Sequence, residues 1–297
     1  IGLGDLAELI ADFIQALKDE DPAVRRSAAA ALRLCRLNKD VATDLFESLK
    51  DPAEEVRRDA AYSLGMLGPE VFKELDLASR GPKASIRVSA ASAMGVIGAN
   101  KPSFREAASR LEEMLEDPSI DVRVASLEGL GRIGPGAQAA VKSVKSALED
   151  PFDGVRAQAA QTLGALGPEG RGTVSGLAAA LKDPSLEVRR QAASALGRFG
   201  PESREAVPGL IEAVGDRNLA VRVAAALALG RVGVDAKAAI PELLKALRYD
   251  EPAGADAAAA ALTGIGASAK HVLEDLVDAI ASRRLASAIN ALAALGQ

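Results

Sequence analysis

The sequence has few aromatic residues and no tryptophan. Aromatic side chains occupy 3% of the 297 positions, and most of the 48% hydrophobic content comes from Ala, Leu and Val. A core of small aliphatic residues predicts closely spaced helices that make many similar contacts, rather than a core built around a few bulky side chains.

Cysteine and histidine occur once each, as Cys35 and His271. A single cysteine excludes an internal disulfide and a cysteine-rich zinc site, and its apolar surroundings predict a buried small side chain. No second histidine or cysteine follows His271 at helical spacing, and we assign it no catalytic or metal-binding role. The glycine-rich phrase LGRFGPESRE lacks the Lys-Ser/Thr ending of a phosphate loop. The sequence therefore predicts no cofactor, no metal site and no catalytic residue.

Excess positive charge and long apolar runs are also absent. The formal net charge is -5, from 36 basic and 41 acidic residues, which argues against a general nucleic-acid-binding protein. No run of about eighteen apolar residues occurs, which argues against a membrane span. The acidic residues Asp5, Glu8 and Asp12 replace the basic flank and apolar stretch of a signal peptide. We expect a cytoplasmic location, and because the chain begins at Ile1 without Met, we expect a fragment of a longer polypeptide.

One phrase recurs along the chain at a nearly constant period. The string DPSLEVRRQAASALGRFGP (183–201) follows the similar DPFDGVRAQAAQTLGALGP (150–168) by 33 residues. A Val-Arg or Ile-Arg pair marks each copy at Arg25, Arg57, Arg87, Arg123, Arg156, Arg189 and Arg222. Two further steps reach ALTGIG (261–266) and VLEDLVDAIAS (272–282). A period in this range is typical of a helical solenoid, here of about nine repeats.

Each repeat carries start and stop signals for a helix. Asp183 and the proline after it predict an N-cap and a first helical position. The same interpretation applies to Asp51, Asp117 and Asp150. Val188 and Leu196 then fall on one helical face, and Gly200 before a proline predicts the helix end. A second helix, as in AIPELLKALRYD, precedes each aspartate. Each repeat is therefore predicted to be an antiparallel hairpin of an A helix and a B helix, of about 11 and 14 residues, that must stack on its neighbours.

The pattern D-P-x-x-x-V-R-x-x-A-A-x-A-L-G-x-x-G resembles HEAT repeats of the PBS-lyase HEAT-like type. The resemblance implies an all-α solenoid over residues 1–297, with B helices lining a concave face. It also implies a ladder of Asp and Arg in the same repeat, six residues apart. The implied pairs are Asp51/Arg57, Asp117/Arg123, Asp150/Arg156, Asp183/Arg189 and Asp216/Arg222. The first repeat leaves Asp19 and Asp21 as alternatives.

The third repeat departs from the pattern. Its SRGPKASIR lacks the aspartate, and the spacing of the ladder arginines changes there from 30 to 36 residues. We therefore predict an altered helix crossing or a change of curvature at residues 79–104.

The outward positions of the B helices supply the candidate binding site. Residues two, five and nine positions after each ladder arginine fall on one stripe. The stripe is apolar in the N-terminal half, whereas the C-terminal half carries arginines among polar residues, and both predict a docking groove. The candidates are Leu34, Tyr62, Met66, Val96, Glu128, Arg132, Gln161, Gln191, Arg198 and Arg231. The alternative is that the apolar members pack between repeats.

These observations favour a non-enzymatic scaffold for protein-protein interaction. Its predicted partner is another protein, bound through an extended or helical segment on the concave face. Two alternatives stay open: a phycobilin lyase or isomerase-like subunit that acts with a partner protein, as the resemblance allows, and a structural spacer within a larger polypeptide.

Overall fold

The computed structural model describes residues 3–34, 39–168, 170–249 and 251–266. Within these ranges the regular structure is helical, with no strand, which confirms the all-α prediction. The α-helices are α1 (Leu3–Ala16), α2 (Pro22–Leu32), α3 (Lys39–Ser48), α4 (Glu54–Leu67), α5 (Phe72–Ala78), α6 (Ala84–Asn100), α7 (Arg105–Glu113), α8 (Ile120–Ile133), α9 (Val141–Ser146), α10 (Asp153–Leu166), α11 (Gly170–Ala180), α12 (Leu186–Phe199), α13 (Val207–Val214), α14 (Leu219–Val232), α15 (Ile240–Tyr249) and α16 (Pro252–Gly264). The predictions for Cys35, His271 and the ninth repeat at 272–282 lie outside the described residues.

The described helices form eight hairpins, in which odd-numbered A helices alternate with even-numbered B helices. Most B helices have the predicted length, since α12 and α14 each span 14 residues. Several A helices, such as α5 and α13, are shorter than predicted, because the residues after α4, α8, α12 and α14 first form a 3-10 segment. In one repeat, for example, the 3-10 segment Gly200–Ala206 precedes α13, which has 8 residues.

The chain divides into two compact units, Ile1–Val144 and Lys145–Gln297. In the first unit α2, α4, α6 and α8 pack on one another in sequence, and in the second α10, α12, α14 and α16 do the same. Backbones approach closely where glycines face each other: a Cβ added to Gly95 on α6 would lie 2.6 Å from the Cα of Gly129 on α8. The small side chains therefore set the spacing of the B helices, as the composition predicts.

The predicted capping aspartates lie two residues before the N-caps of their helices. The N-cap of α12 is Ser185 rather than Asp183, and the Asp183 carboxylate instead accepts a hydrogen bond from the Ser185 backbone N–H at 2.8 Å. The Asp-Pro pair thus forms a turn before the helix, since an Asp side chain readily bonds the backbone two residues on. Asp51, Asp117 and Asp150 form the same turn, so the prediction that they are N-caps is wrong.

The glycine stop signals are confirmed. Gly68, Gly134, Gly167, Gly200 and Gly233 follow the last residues of their B helices and have φ between 59° and 98°. At Gly200 ψ is -129°, a combination open essentially to glycine alone. The chain can therefore reverse at once into the next A helix.

The third repeat is irregular in the structure as well. Its B helix, α6, has 17 residues and begins after Lys83, whose side chain makes no capping hydrogen bond. The predicted change of curvature at 79–104 stays a prediction.

Candidate partner-binding face

A ladder of ion pairs runs along the turns that precede the B helices. Arg189 donates from Nε and Nη2 to both carboxylate oxygens of Asp216, at 2.7 and 3.1 Å, while its Nη1 donates to the backbone carbonyls of Asp183 and Pro184. The carboxylate therefore comes from the next repeat, and the aspartate six residues earlier offers only its carbonyl.

The same forward pairing joins Arg25 to Asp51, Arg87 to Asp117 and Arg156 to Asp183. The implied pairing within one repeat is therefore wrong for Asp51, Asp117, Asp183 and Asp216, because each of these carboxylates faces the arginine of the preceding repeat. In the first repeat Asp19 holds the ladder position, since Arg25 donates to its carbonyl.

The ladder shifts the titration of its aspartates. Burial alone would raise the pKa of Asp216, but hydrogen bonds from Arg189 and the Asn218 N–H, with the nearby positive charge, bring it below its ordinary value of 3.8. The pKa values of Asp51, Asp117 and Asp183 are lowered for the same reasons.

We expect the free energy of unfolding to fall in acid. A carboxyl group whose pKa is lower in the folded protein stabilises it fully above the unfolded pKa, and this stabilisation is lost as the pH falls through the folded pKa. Urea denaturation at a series of pH values from about 5 to about 2 measures the loss. Asp216→Asn is the control and is expected to give a shallower dependence; constant stability over this range would contradict the ladder's contribution.

Most of the candidate residues lie exposed on the B helices. In the first unit Leu34 is 81% exposed, and Tyr62 and Met66, one turn apart on α4, are 42% and 44% exposed. The Asn100 side chain donates a hydrogen bond to Met66 Sδ at 3.2 Å. Glu128 and Arg132 on α8 are also exposed. Leu34, Tyr62 and Met66, the exposed apolar candidates, thus contact solvent in the first unit.

Arginines take the corresponding positions in the second unit. Arg198 and Arg231 are exposed, as is Gln161, and neither arginine forms an ion pair within the described ranges. Gln191 differs, because it is half-buried and donates to Glu187 at 2.9 Å on its own helix.

Val96 is buried, with 4% of its surface exposed, so the prediction that it belongs to an exposed strip is wrong. Val96 and Arg198 both hold the ninth position after a ladder arginine, and both pack over a glycine of the preceding B helix. A Cβ on Gly65 would clash with Val96, and a Cβ on Gly164 would lie 3.4 Å from Arg198 Cδ. The longer arginine extends past this contact into solvent, whereas valine is too short to do so.

A groove in the first unit crosses α4, α6 and α8 nearer to their N-termini than the predicted stripe. It has a volume of about 460 Å³, and its lining includes Glu54, Arg57, Arg58, Asp121 and Glu128. Of these, sequence reasoning identified only Glu128. Arg57 is a ladder arginine and Arg58 follows it, whereas Glu54 and Asp121 lie three and two residues before the ladder arginines of their helices.

The described residues contain no group of three or more His, Cys, Asp or Glu side chains placed to hold a metal ion. None of the described helices combines the length and the apolar character that a bilayer crossing requires.

Comparison with known proteins identifies the repeats. The HEAT-repeat family matches residues 10–95, 107–173 and 174–263. A search of curated proteins gave no significant match.

Among solved structures, YibA of E. coli is similar with a TM-score of 0.65 and 20% identity over 87% of this chain and 92% of its own. Importin beta gives 0.62 and 16% over 97% of this chain and 46% of its own. A chain from the structure of Kap95p with RanGDP gives 0.63 and 14% over 99% and 44%. At these identities the likeness concerns the fold, which is a HEAT-repeat solenoid and typical of protein-interaction scaffolds. The chain belongs to the HEAT-repeat family.

Proposed function

We propose that this protein is a non-enzymatic scaffold that binds a partner polypeptide along the B-helix faces of its repeats. The observation that carries the proposal is the exposure of Tyr62 and Met66, one turn apart on α4. Tyrosine is among the residues that dominate the energy of many interfaces, and methionine is enriched in them. In the Kap95p structure the same fold occurs with a protein partner, RanGDP.

The two units would contribute different chemistry to binding. Tyr62 and Met66 supply apolar anchors in the first unit. Arg198 and Arg231 in the second unit have no internal acidic partner within the described residues, and they would select an acidic stretch of the partner by charge.

The test is affinity capture from an extract of the source cells, with quantitative mass spectrometry of the captured proteins. We expect proteins captured by the wild type to be lost with the Tyr62→Ala/Met66→Ala variant. Leu77→Ala is the matched control, because Leu77 is 64% exposed on the A helix α5. Arg198→Glu/Arg231→Glu tests the second unit separately. Equal capture by wild type and both double variants would overturn the proposed site.

A further inference from the structure

Arg25 and Arg87, two ladder arginines of the first unit, share one pattern of hydrogen bonds. In Arg25 and Arg87, Nη1 donates to two carbonyls of the arginine's own turn. Their Nε and Nη2 donate to both carboxylate oxygens of the next repeat's aspartate, at 2.7 to 3.0 Å. The two carbonyls fix the guanidinium plane, and the carboxylate occupies its other edge.

Arg57 has the first half of this pattern without the second. Its Nη1 donates to the carbonyls of Asp51 and Pro52 at 2.7 and 2.9 Å, as Nη1 of Arg25 and Arg87 does in those repeats. It pairs with no carboxylate among the described residues. The Asp51 carboxylate is held by Arg25. The guanidinium is therefore oriented like its counterparts, and its Nε and Nη2 lack the usual acceptor.

The cause lies in the third repeat, where Gly81 stands at the ladder position. Gly81 still accepts a hydrogen bond from Arg87 through its carbonyl, at 3.0 Å, so the turn keeps its place in the ladder. It has no side chain to offer to Arg57. The sequence departure in SRGPKASIR thus removes one carboxylate and leaves the surrounding backbone scaffold in place.

Arg57 is accessible from the B-helix face. It is half-buried and lines the groove of about 460 Å³ that crosses α4, α6 and α8. Arg58 lines the same groove, and Lys83 is exposed at the neighbouring turn. The acidic residues Glu54 and Asp121 also line it, and neither forms an ion pair with Arg57 within residues 39–168.

We propose that Arg57 binds a carboxylate of the partner polypeptide, from an Asp or Glu side chain, in the position that the next repeat's aspartate takes beside Arg25 and Arg87. A guanidinium matches a carboxylate in bidentate geometry, and the two carbonyls that hold Arg57 orient it in advance. This inference rests on the proposed function, because the carboxylate arrives on a polypeptide that lies along the B-helix face.

The experiment follows the arginine side-chain Nε–Hε signals of the full chain by NMR during titration with a capped peptide of alternating Glu and Gly. The Arg57 signal is assigned by its loss in Arg57→Lys. We expect it to shift, while the signals of Arg25 and Arg87 stay in place because Asp51 and Asp117 already occupy them. The corresponding Gln-Gly peptide is the uncharged control and is expected to produce no shift.

Substitution of Gly81 provides the matched pair of variants. Gly81→Asp supplies the missing carboxylate from within the protein. We expect the affinity of the peptide for Arg57, measured by the shift of its signal, to fall at least about tenfold, which is the effect of losing one charged hydrogen bond. Gly81→Asn has the same shape without the charge and is expected to keep the response. A Cβ at Gly81 would lie 3.1 Å from the Ala78 carbonyl oxygen, and both variants carry this contact equally.

An Arg57 signal that does not move, or that moves no more than those of Arg25 and Arg87, would overturn the inference, as would an undiminished response in Gly81→Asp. The peptide experiment is independent of the natural partner. If Arg57 responds but affinity capture is insensitive to Tyr62 and Met66, the carboxylate site stands and the proposed anchors fail. If Arg57 does not respond but capture depends on Tyr62 and Met66, only the proposed carboxylate site is wrong.

Discussion

Gly95→Val is expected to destabilise the first unit by about 3 kcal/mol, through overpacking at a backbone contact. A Cβ at this position would lie 2.6 Å from the Gly129 Cα and 3.4 Å from its carbonyl carbon and oxygen. Backbone atoms cannot rotate away as a flexible side chain would, so α6 and α8 must separate. Urea denaturation measures the loss, and hydrogen exchange of the α6 and α8 amides locates it.

The control is Gly154→Ala, on the B helix α10. A Cβ there would meet no heavy atom of the described residues within 4 Å, and alanine favours a helix over glycine by about 1 kcal/mol. We therefore expect unchanged or slightly higher stability for this variant. If Gly95→Val were as stable as Gly154→Ala, close glycine packing would not set the helix spacing.

Arg189→Met is expected to cost about 2 to 3 kcal/mol, because it leaves the Asp216 carboxylate without its bidentate partner. Arg189 is 6% exposed, the most buried of the charged residues described. Methionine keeps much of the apolar stem, so most of the loss reflects the charge and the hydrogen bonds. The double variant Arg189→Met/Asp216→Asn is expected to lose less than the sum of the two single variants, since the residues interact directly.

The adjacent Arg190 provides the matched control. Arg190 pairs with Glu187 on the same helix, and the two side chains are 37% and 45% exposed. Exposed pairs of this kind contribute less than about 1 kcal/mol, so Arg190→Met is expected to have a small effect. If urea denaturation gave equal losses in the free energy of unfolding for Arg189→Met and Arg190→Met, the ladder pair would stabilise the protein no more than an ordinary surface pair.

The sequence predicts the helical hairpins well, because the signals that define them are local. Glycine at a position of positive φ, as at Gly200, and apolar residues at helical spacing act within one repeat. The pairing of the ladder was not predictable in the same way. Asp183 precedes Arg189 by six residues and Asp216 follows it by 27, yet both aspartates hold the same position in the repeat. Periodicity cannot distinguish them; only the distance between atoms can.

The candidate site shows the same limit at a finer scale. Tyr62 and Arg198 are exposed as the helical stripe predicts, whereas Val96 is buried although it holds the same repeat position as Met66 and Arg198. Val96 and Arg198 both pack over a glycine of the preceding helix, but only arginine is long enough to extend beyond it, and a helical projection omits side-chain length. Arg57 was missed because it stands out only when each ladder arginine is known to pair with the aspartate of the next repeat. The sequence alone did not show that pairing, so the missing aspartate at Gly81 was not connected with Arg57.

The forward register of the ladder has a consequence for how such a chain can grow by duplication. An ordinary repeat carries both an aspartate for the arginine before it and an arginine for the aspartate after it. A copy inserted next to its original therefore brings a complete set of interface charges, and no existing residue has to change. A copy of the third repeat would be different, because Gly81 would again leave the preceding arginine without a carboxylate. Each such copy would lengthen the array and add one more arginine that receives no carboxylate from the next repeat.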